Sequence, residues 1–332
     1  MLLAPLVGVD RDTRDRRLKK AILVTFVLAA ANIPFIIVSI RPTVSSAIAE
    51  QQMAQLWREP ASIETADLFN GPWVGAAPNP NATYAFVKPK LHGNSPGLTV
   101  HDPKGEEWSV KQGAEASVEV AVSRVLSAIG YHQPPVFFLS SFTLQRNGAV
   151  ERAPGGRFRA KLESLREMGD WSWHQNPFVD TRPYQGLLVA LMMFNSSDLK
   201  DSNNTVYEMV PPRDGAPRWY VVRDVGSALG ETAKLDAREG DPDLFERLSF
   251  IRGMHDGFVE FSYHGWHQEL FTKRIRPDDV RWTCERLAKL SDAQWHDAFR
   301  AGGFDPPVAD RFIRRLKAKI DEGLKLGNRG AR

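Results

Sequence analysis

Cysteine is almost absent from this chain of 332 residues, which contains only Cys284. A single cysteine cannot form an internal disulfide and matches no metal-ligand spacing, so a disulfide scaffold and a cysteine-based metal site are both excluded. Cys284 lies in the helical pattern "DDVRWTCERLAKL". We therefore predict that it is a packing residue.

The chain also lacks a strong excess of charge of either sign. Its 43 lysines and arginines nearly balance 40 acidic residues, which gives a formal net charge of +3. This value is too small to indicate a nucleic acid partner, and none is expected. With 42% hydrophobic and 25% charged residues, the composition is that of an ordinary globular protein. The length suffices for one large two-lobed domain or two smaller ones.

One long apolar run stands apart from this ordinary composition. Residues 21–40 carry no charge and follow the basic segment 1–20. About 20 apolar residues can cross a bilayer as a helix, and a basic flank tends to stay in the cytoplasm. We expect a cytoplasmic tail, a single membrane anchor at 21–40 and a domain outside the cytoplasm. The alternative is a signal peptide cleaved after Ala49, which would release a secreted chain.

The rest of the chain divides into strand-rich and helix-rich parts. Residues 41–80 are rich in Gly, Pro and Asn near their end and predict a stalk or linker. Residues 81–145 hold several strand patterns and one helix with Val118, Val122 and Val125 at helical spacing. Residues 146–328 are mainly helical. We predict an α+β fold with a small β-rich lobe followed by a larger helical lobe.

The first candidate site residues surround a glycine-containing turn. Gly93, Ser95 and Gly97 lie between two strand patterns, Lys111 ends a third strand, and Glu119 lies on the following helix. Backbone amides of such a turn can bind phosphate oxygens, and a lysine can neutralise them. The alternative is an ordinary β-hairpin without a binding role, followed by a solvated lysine. We expect Lys111→Ala to spare the fold, because exposed ion pairs contribute only about 0–1 kcal/mol to stability.

The second candidate is a polar burst, "FNSSDLKDSNNTVYE", directly after the apolar helix "YQGLLVALMMF". Phosphoryl transfer needs an aspartate to orient the attacking hydroxyl, a cation beside the phosphoryl group and an oxygen ligand for a divalent ion. Asp198, Lys200 and Asn203 supply these three types on one loop. The alternative is a helix cap followed by Asx turns.

The third candidate is Asp224, which follows three apolar strand residues in "YVVRDVGSALG". A carboxylate at a strand end is suited to hold Mg²⁺, which takes one or two carboxylates together with substrate phosphates. A solvated strand-end aspartate is the alternative. A further pair, His264 and His267 with Glu269, has the types of a metal site. No third ligand with matching spacing accompanies it, so we do not include it.

In this order, the motifs resemble the protein-kinase-like superfamily. "VKQG" corresponds to the strand lysine, "VEVAVSRVLSAIG" to the helix glutamate, "DLKDSN" to the catalytic loop and "DVG" to the metal-binding Asp-x-Gly. The helix followed by "YHQPP" is similar to the Golgi secretory-pathway kinases, and the spacing also resembles HipA-type kinases. The resemblance covers about residues 83–230. It implies a two-lobed kinase-like fold, ATP and Mg²⁺ as cofactors, and a hydroxyl of a protein, sugar or lipid as acceptor.

Several features depart from the kinase pattern and keep alternatives open. Ser196 and Ser197 stand where His-Arg would precede Asp198, the glycine turn is not Gly-x-Gly-x-x-Gly, and no Ala-Pro-Glu follows the Asp-Val-Gly. Glu115 competes with Glu119 for the helix role, and Asp201 competes with Asp198 as base. Free ATP is also scarce outside the cytoplasm. The second hypothesis is therefore a catalytically silent kinase-like binding module held at the membrane.

Overall fold

The computed structural model describes residues 46–90, 95–213, 215–232 and 237–326. The predicted tail, the predicted anchor at 21–40 and Gly93 lie outside these residues. Within the described ranges, no helix combines the length and the apolar character needed to cross a membrane. All described residues except Ser46 belong to one compact unit, Ala47–Arg332.

The first part of this unit, after a short helix, is a closed five-stranded barrel. The helix is α1 (Ser46–Met53), and the strands are β1 (Thr83–Pro89), β2 (Gly97–His101), β3 (Glu107–Lys111), β4 (Val136–Arg146) and β5 (Ala149–Ala160). Their order around the barrel is β1-β2-β3-β5-β4, and β5 lies wholly beyond residue 145, where the predicted lobe border falls. Successive residues of β3 alternate between the two faces. Trp108 and Val110 are buried in the barrel core, whereas Ser109 and Lys111 lie on the opposite face.

Helix α2 (Ala114–Ala128) packs against the barrel on one side and the helical part on the other. Its buried residues Val118, Val122 and Val125 recur at helical spacing, as the sequence predicts. Glu115 lies in the first turn, where a carboxylate interacts favourably with the helix dipole. The helix therefore carries its acidic side chains toward the end of β3.

The second part combines a small sheet with a helical bundle, so the observed architecture is α+β, with its β-rich part first. The sheet has the order β6-β7-β8 and is formed by β6 (Leu165–Gly169), β7 (Asn204–Arg213) and β8 (Ala216–Val222). Helix α3 (Arg182–Met193) precedes β7. The remaining elements are β9 (Glu231–Thr232), β10 (Ala237–Arg238), α4 (Pro242–Arg247), β11 (Ile251–His255), β12 (Phe258–Phe261), α5 (Pro277–Leu287), α6 (Asp292–Ala301) and α7 (Pro306–Leu324).

Part of the predicted stalk is in fact a component of the core. Leu56, Ile63 and Leu68 are buried, although the sequence analysis assigned residues 41–80 to a linker. The Gln294 amide donates to the Ile63 carbonyl at 2.8 Å and so fastens this segment to α6. Scattered apolar residues in a loop show no periodicity, which is why the pattern did not reveal this packing. Ser291 and Gln294, spaced as Ser-x-x-Gln in the sequence, form a capping box at the start of α6.

Gly186 in α3 permits a close contact with α5. A methyl group added at Gly186 would overlap the Trp282 ring, which Trp57 and Arg286 hold from other directions. Gly186→Ala is therefore expected to lower the free energy of unfolding by about 1–3 kcal/mol, despite the gain of about 1 kcal/mol in helix propensity. Urea denaturation would measure this. Gly253→Ala, which meets open space, should change stability by less than about 0.5 kcal/mol, and equal effects would contradict the packing argument.

Candidate active site

The side chain of Lys111 is the centre of a buried charged cluster. Its ammonium nitrogen lies 2.7 Å from Asp224 Oδ1, 3.1 Å from Glu119 Oε2 and 3.1 Å from Glu115 Oε2. Only 2% of Lys111 is exposed. The cluster thus joins the end of β3, the first turns of α2 and the segment after β8.

The expectation that Lys111 is a surface lysine is wrong. Its strand position directs it away from the barrel core, as the alternation indicates, but α2 covers that face. Removal of its ammonium would take the shared cation from the carboxylates of Glu115, Glu119 and Asp224, of which Glu119 keeps Arg157 as a second cation. Lys111→Ala is therefore not a neutral test of nucleotide binding, because an unpaired buried charge is strongly destabilising.

Glu119 connects two cations, Lys111 and Arg157. Its Oε1 lies 2.9 Å from Nε of Arg157, and both side chains are 1% exposed. Glu115 contacts the same ammonium but is 14% exposed. Both candidate glutamates therefore pair with Lys111, and Glu119 is the one that is fully buried.

Sequence reasoning missed Arg157 and its neighbour Arg159. In β5, Phe158 packs inside the barrel, so the two arginines lie on the opposite face and pair in register with Lys111 and Ser109 of β3. The alternation in "GRFRA" is the signal that would have found them.

The charges of this cluster shift each other's ionisation. Burial alone would raise the pKa of Glu119, but Arg157 and Lys111 outweigh it and hold that pKa below its ordinary value. Burial would likewise raise the pKa of Asp224, and Lys111 holds it well below the usual range. Burial disfavours the Lys111 ammonium, yet Glu119 and Asp224 raise its pKa above the ordinary value. Lys111, Glu119 and Asp224 are therefore all charged at neutral pH.

Asp224 follows β8 and leaves about one third (34%) of its side chain exposed. Two residues later, Gly226 lies so close to α2 that an added Cβ would be 2.9 Å from the Glu115 carbonyl oxygen. The glycine of the Asp-Val-Gly motif is thus required by this close approach. It places Asp224 beside the first turns of α2 with one carboxylate edge open to solvent.

A strand lysine paired with a glutamate of the next helix, and a metal-binding aspartate in Asp-x-Gly, are two parts that protein kinases must bring into place together. Lys111, Glu119 and Asp224 are brought together in the same arrangement. The β-rich first part and the helical second part meet at this cluster.

The polar burst after α3 is a loop whose backbone is fixed at several points. Helix α3 ends where Asn195 adopts a left-handed conformation with φ of 56°, and Leu199 is buried to anchor the loop. The Asn203 amide donates to the Asp198 carbonyl at 2.6 Å. The Asn203 carbonyl in turn accepts from the backbone N–H of Asp224 at 3.1 Å. Backbone bonds therefore connect the loop directly to the segment that carries Asp224.

The two competing aspartates of this loop have different environments. Asp201 Oδ1 accepts the backbone N–H of Trp173 at 3.1 Å, which ties the loop to the segment before α3. Asp198 Oδ1 instead lies 2.7 Å from Nζ of Lys200, and the Lys200 side chain is substantially exposed. Asp198 thus pairs with a side-chain cation of its own loop, whereas Asp201 is tied to the backbone of a neighbouring segment.

A cavity of about 1560 Å³ is lined by residues of the barrel and of the β6-β7-β8 sheet. Ser109 and Arg159 line it from the barrel, and Tyr207 and Arg223 line it from the sheet and the segment after β8. Ser109 precedes Lys111 by two residues, and Arg223 directly precedes Asp224. The side chains of Lys111, Glu119 and Asp224 do not themselves line this cavity.

The predicted glycine turn is only partly described. Gly97 pairs with Lys111 in the β2–β3 ladder, and an added Cβ would lie 2.7 Å from the Val110 carbonyl oxygen, so the strand pairing itself requires glycine there. Ser95 is half-buried at the beginning of the described part of this segment. Lys90, on the other side of the turn, lies near the cluster, since desolvation and the Lys111 charge lower its pKa.

Comparisons of the whole structure give similarities to atypical kinases. The proinflammatory kinase CtkA of Helicobacter pylori matches with a TM-score of 0.43 at 10% identity, over 74% of this chain and 98% of that one. A Golgi casein kinase with Mn/ADP bound matches with a TM-score of 0.37 at 10% identity, over 77% of this chain and 75% of that one. The Rio2 kinase–ADP/Mg²⁺-phosphoaspartate complex from Chaetomium thermophilum gives a TM-score of 0.29 at 14% identity, over 74% and 71% of the two chains.

The predicted resemblance to atypical kinases is confirmed as a structural similarity. At TM-scores below 0.5 it concerns the overall arrangement alone and says nothing about the residues of the site. No protein-family profile matches the chain, and comparison with curated proteins gives no match.

Proposed function

We propose that this protein is an ATP- and Mg²⁺-dependent phosphotransferase that acts on an alcohol group. The observation that carries the proposal is the contact of 2.7 Å between the Lys111 ammonium and Asp224, with Glu119 holding the same ammonium from α2. A cation suited to phosphate and a carboxylate suited to a metal are thereby positioned together, between the end of β3 and the segment after β8. Nothing in an ordinary surface hairpin requires this arrangement.

The residues present fit a magnesium ion. Mg²⁺ prefers oxygen ligands and usually takes one or two carboxylates together with substrate phosphates. Asp224 offers a partly exposed carboxylate. Asn203 uses its amide nitrogen to hold the Asp198 carbonyl, which leaves the amide oxygen available as a second ligand. When bound, the ion would neutralise charge on the transferred phosphoryl group.

In the proposed reaction, a substrate hydroxyl attacks the terminal phosphorus of the nucleotide. The new P–O bond forms to the hydroxyl oxygen, the bond to the leaving diphosphate breaks, and the hydroxyl proton passes to the Asp198 carboxylate. Lys200 faces the transferred phosphoryl group, and Lys111 neutralises the phosphates that stay behind. The acceptor is a hydroxyl of a protein, sugar or lipid, and membrane attachment through residues 21–40 stays a prediction from the sequence.

Asp224→Asn tests the metal site directly. We expect it to weaken Mg²⁺-dependent ATP binding by about 10–100-fold, because it removes the charged ligand of a doubly charged ion. Isothermal titration with and without Mg²⁺ would measure this, with Asp321→Asn on the exposed face of α7 as a matched control. Unchanged Mg²⁺-dependent affinity in a folded Asp224→Asn variant would contradict the proposal. Tight Mg²⁺–ATP binding by the wild type without transfer to any alcohol would support the silent binding module.

A further inference from the structure

A second group of ligand-type side chains lies outside the Lys111 cluster. Nε2 of His174 is 3.2 Å from Nδ1 of His267 and 3.0 Å from Oε1 of Glu269. Nδ1 of His267 is 2.8 Å from the same carboxylate oxygen. Three potential ligand atoms from two distant segments thus form a small triangle. Within the described residues, this triangle is a group of side chains that could hold a metal ion.

The structure corrects the sequence-based view of these histidines. The spacing suggested His264 and His267 as partners and offered no third ligand. His264 is instead exposed and belongs to no such group in the described part of the chain. The missing ligand is His174, which lies 93 residues before His267. Only the packing of the segment before α3 against the segment after β12 brings the two rings together.

Hydrogen bonds cannot account for all three contacts. Each imidazole nitrogen has one in-plane position, which holds either a proton or a lone pair. If both nitrogens donate to Glu269, the nitrogen–nitrogen contact of 3.2 Å is not a hydrogen bond. If His174 donates to His267, the lone pair of His267 is used and the contact of 2.8 Å with Glu269 has no proton. One ion at the centre would satisfy all three atoms at once.

The size of the triangle suits an ion of the zinc class. Zn²⁺ binds imidazole nitrogen and carboxylate oxygen at about 2.0–2.2 Å in tetrahedral geometry, which separates neighbouring ligand atoms by about 3.3–3.6 Å. The observed separations of 2.8, 3.0 and 3.2 Å would need to widen by about 0.1–0.8 Å to reach this range. Imidazole ligands favour Zn²⁺ over Mg²⁺, which prefers oxygen, so this group differs in chemistry from the Asp224 site.

The triangle lies next to the two segments that contact the polar loop. His174 follows Trp173, whose backbone N–H donates to Asp201. His267 follows Trp266, whose backbone N–H donates to the Ser197 carbonyl at 3.1 Å. The two histidines therefore extend from the segments that hold the two ends of the polar loop.

The backbone at His267 adds a second observation. This residue has a left-handed conformation with φ of 59°, which is uncommon for a residue other than glycine and concentrates at ligand sites. The conformation brings Nδ1 of His267 toward Glu269 two residues later. The ring of Trp266, next to it, lies 5.3 Å from Nζ of Lys200. The residue next to His267 thus contacts the loop that carries Lys200.

We propose that His174, His267 and Glu269 bind a zinc-class divalent cation, with the fourth coordination position left to water or an exogenous ligand. Three protein ligands, with water or substrate in the fourth position, are the common arrangement of zinc sites that are not purely structural. The bound ion joins the segment before α3 to the segment after β12 and thereby holds the polar loop from both sides. This site does not depend on the phosphotransferase proposal.

Zinc titration of the metal-stripped full chain tests the site. In the absence of nucleotide and Mg²⁺, competition with a chromophoric chelator should show one saturable Zn²⁺ site. His174→Gln and Glu269→Gln should each weaken it by more than about 100-fold, since even the loss of outer-shell partners costs about 10–100-fold in metal affinity. His264→Gln is the matched control, because this exposed histidine is three residues from His267 and outside the triangle. It should bind Zn²⁺ like the wild type.

Thermal unfolding separates loss of the site from loss of the fold. Zn²⁺ should raise the Tm of the wild type and of His264→Gln, because an ion that binds only the folded state stabilises it. It should leave the Tm of His174→Gln unchanged, while the metal-free Tm of all three proteins should agree, since His174 is exposed. Equal Zn²⁺ affinity of wild type and His174→Gln, or an equal loss in His264→Gln, would overturn the proposal. Because no nucleotide is present, either result leaves the proposed phosphotransferase function untouched.

Discussion

Asp198→Asn is expected to slow phosphoryl transfer by about 10²–10⁴-fold, the usual contribution of a general base. The amide keeps the size of the carboxylate but cannot accept the hydroxyl proton. The Asn203 amide is held by the backbone carbonyl of Asp198, so the substitution leaves that bond in place. Affinity for Mg²⁺–ATP should therefore stay unchanged. Single-turnover transfer to an alcohol acceptor, together with calorimetric binding, would measure both quantities.

Asp201→Asn is the matched control for this prediction. Asp201 lies three residues further along the same loop, and its Oδ1 accepts the Trp173 N–H. An asparagine oxygen can accept that hydrogen bond equally well, so transfer should persist if Asp198 is the base. The opposite result, with transfer lost in Asp201→Asn and kept in Asp198→Asn, would assign the base to Asp201.

Glu119→Ala is expected to lower the free energy of unfolding by about 3–5 kcal/mol, the range for breaking a buried ion pair by removing one partner. The substitution takes away the carboxylate shared by Lys111 and Arg157, which are 2% and 1% exposed. Arg157 then keeps its hydrogen bond to the Ser109 carbonyl but has no counter-ion at its Nε. Urea denaturation of the folded domain would measure the loss.

Glu115→Ala separates burial from contact distance. Glu115 and Glu119 both lie 3.1 Å from the Lys111 ammonium, but the Glu115 side chain is 14% exposed and that of Glu119 is 1% exposed. Glu115 is the less buried of the two, so Glu115→Ala should lower the free energy of unfolding by less than Glu119→Ala does. Equal losses in the two variants would show that burial of Glu119 does not decide the stability of the cluster.

The stability that the cluster contributes should also depend on pH in the acidic range. The pKa of Glu119 and that of Asp224 are lowered in the folded protein, so the unfolded chain binds more protons as the pH approaches about 4. This part of the stability is fully present above the unfolded pKa values and is lost as the pH falls below them toward the folded values. Glu119→Gln should therefore reduce the dependence of unfolding free energy on pH below about 4.5.

Features that depend on neighbouring residues could be predicted from the sequence. Helix α2 follows from Val118, Val122 and Val125 at helical spacing, and the capping box follows from Ser291 and Gln294. Cys284 is buried, as its helical pattern indicates, and burial raises the pKa of its thiol to about 12. Such signals arise within one or two turns of helix, where periodicity and cap chemistry act directly.

The order of the charged motifs along the chain also predicted that Lys111 meets Glu119 and Asp224. Lys111, Glu119, Asp198 and Asp224 occur in the sequence in the order in which β3, α2, the polar loop and the segment after β8 present them. Each residue alone could equally belong to an ordinary turn, helix cap or strand end, and only their order along the chain favours a nucleotide site.

Only the tertiary structure decided which of these groups are buried and which distant groups meet. The burial of Lys111 depends on α2 covering the outer face of β3, and its network depends on the register that pairs β3 with β5 and so adds Arg157. His174 reaches His267 because two loops pack beside the polar loop. No local pattern encodes such contacts, because strand register and loop packing are set by the summed burial of apolar side chains over the whole fold.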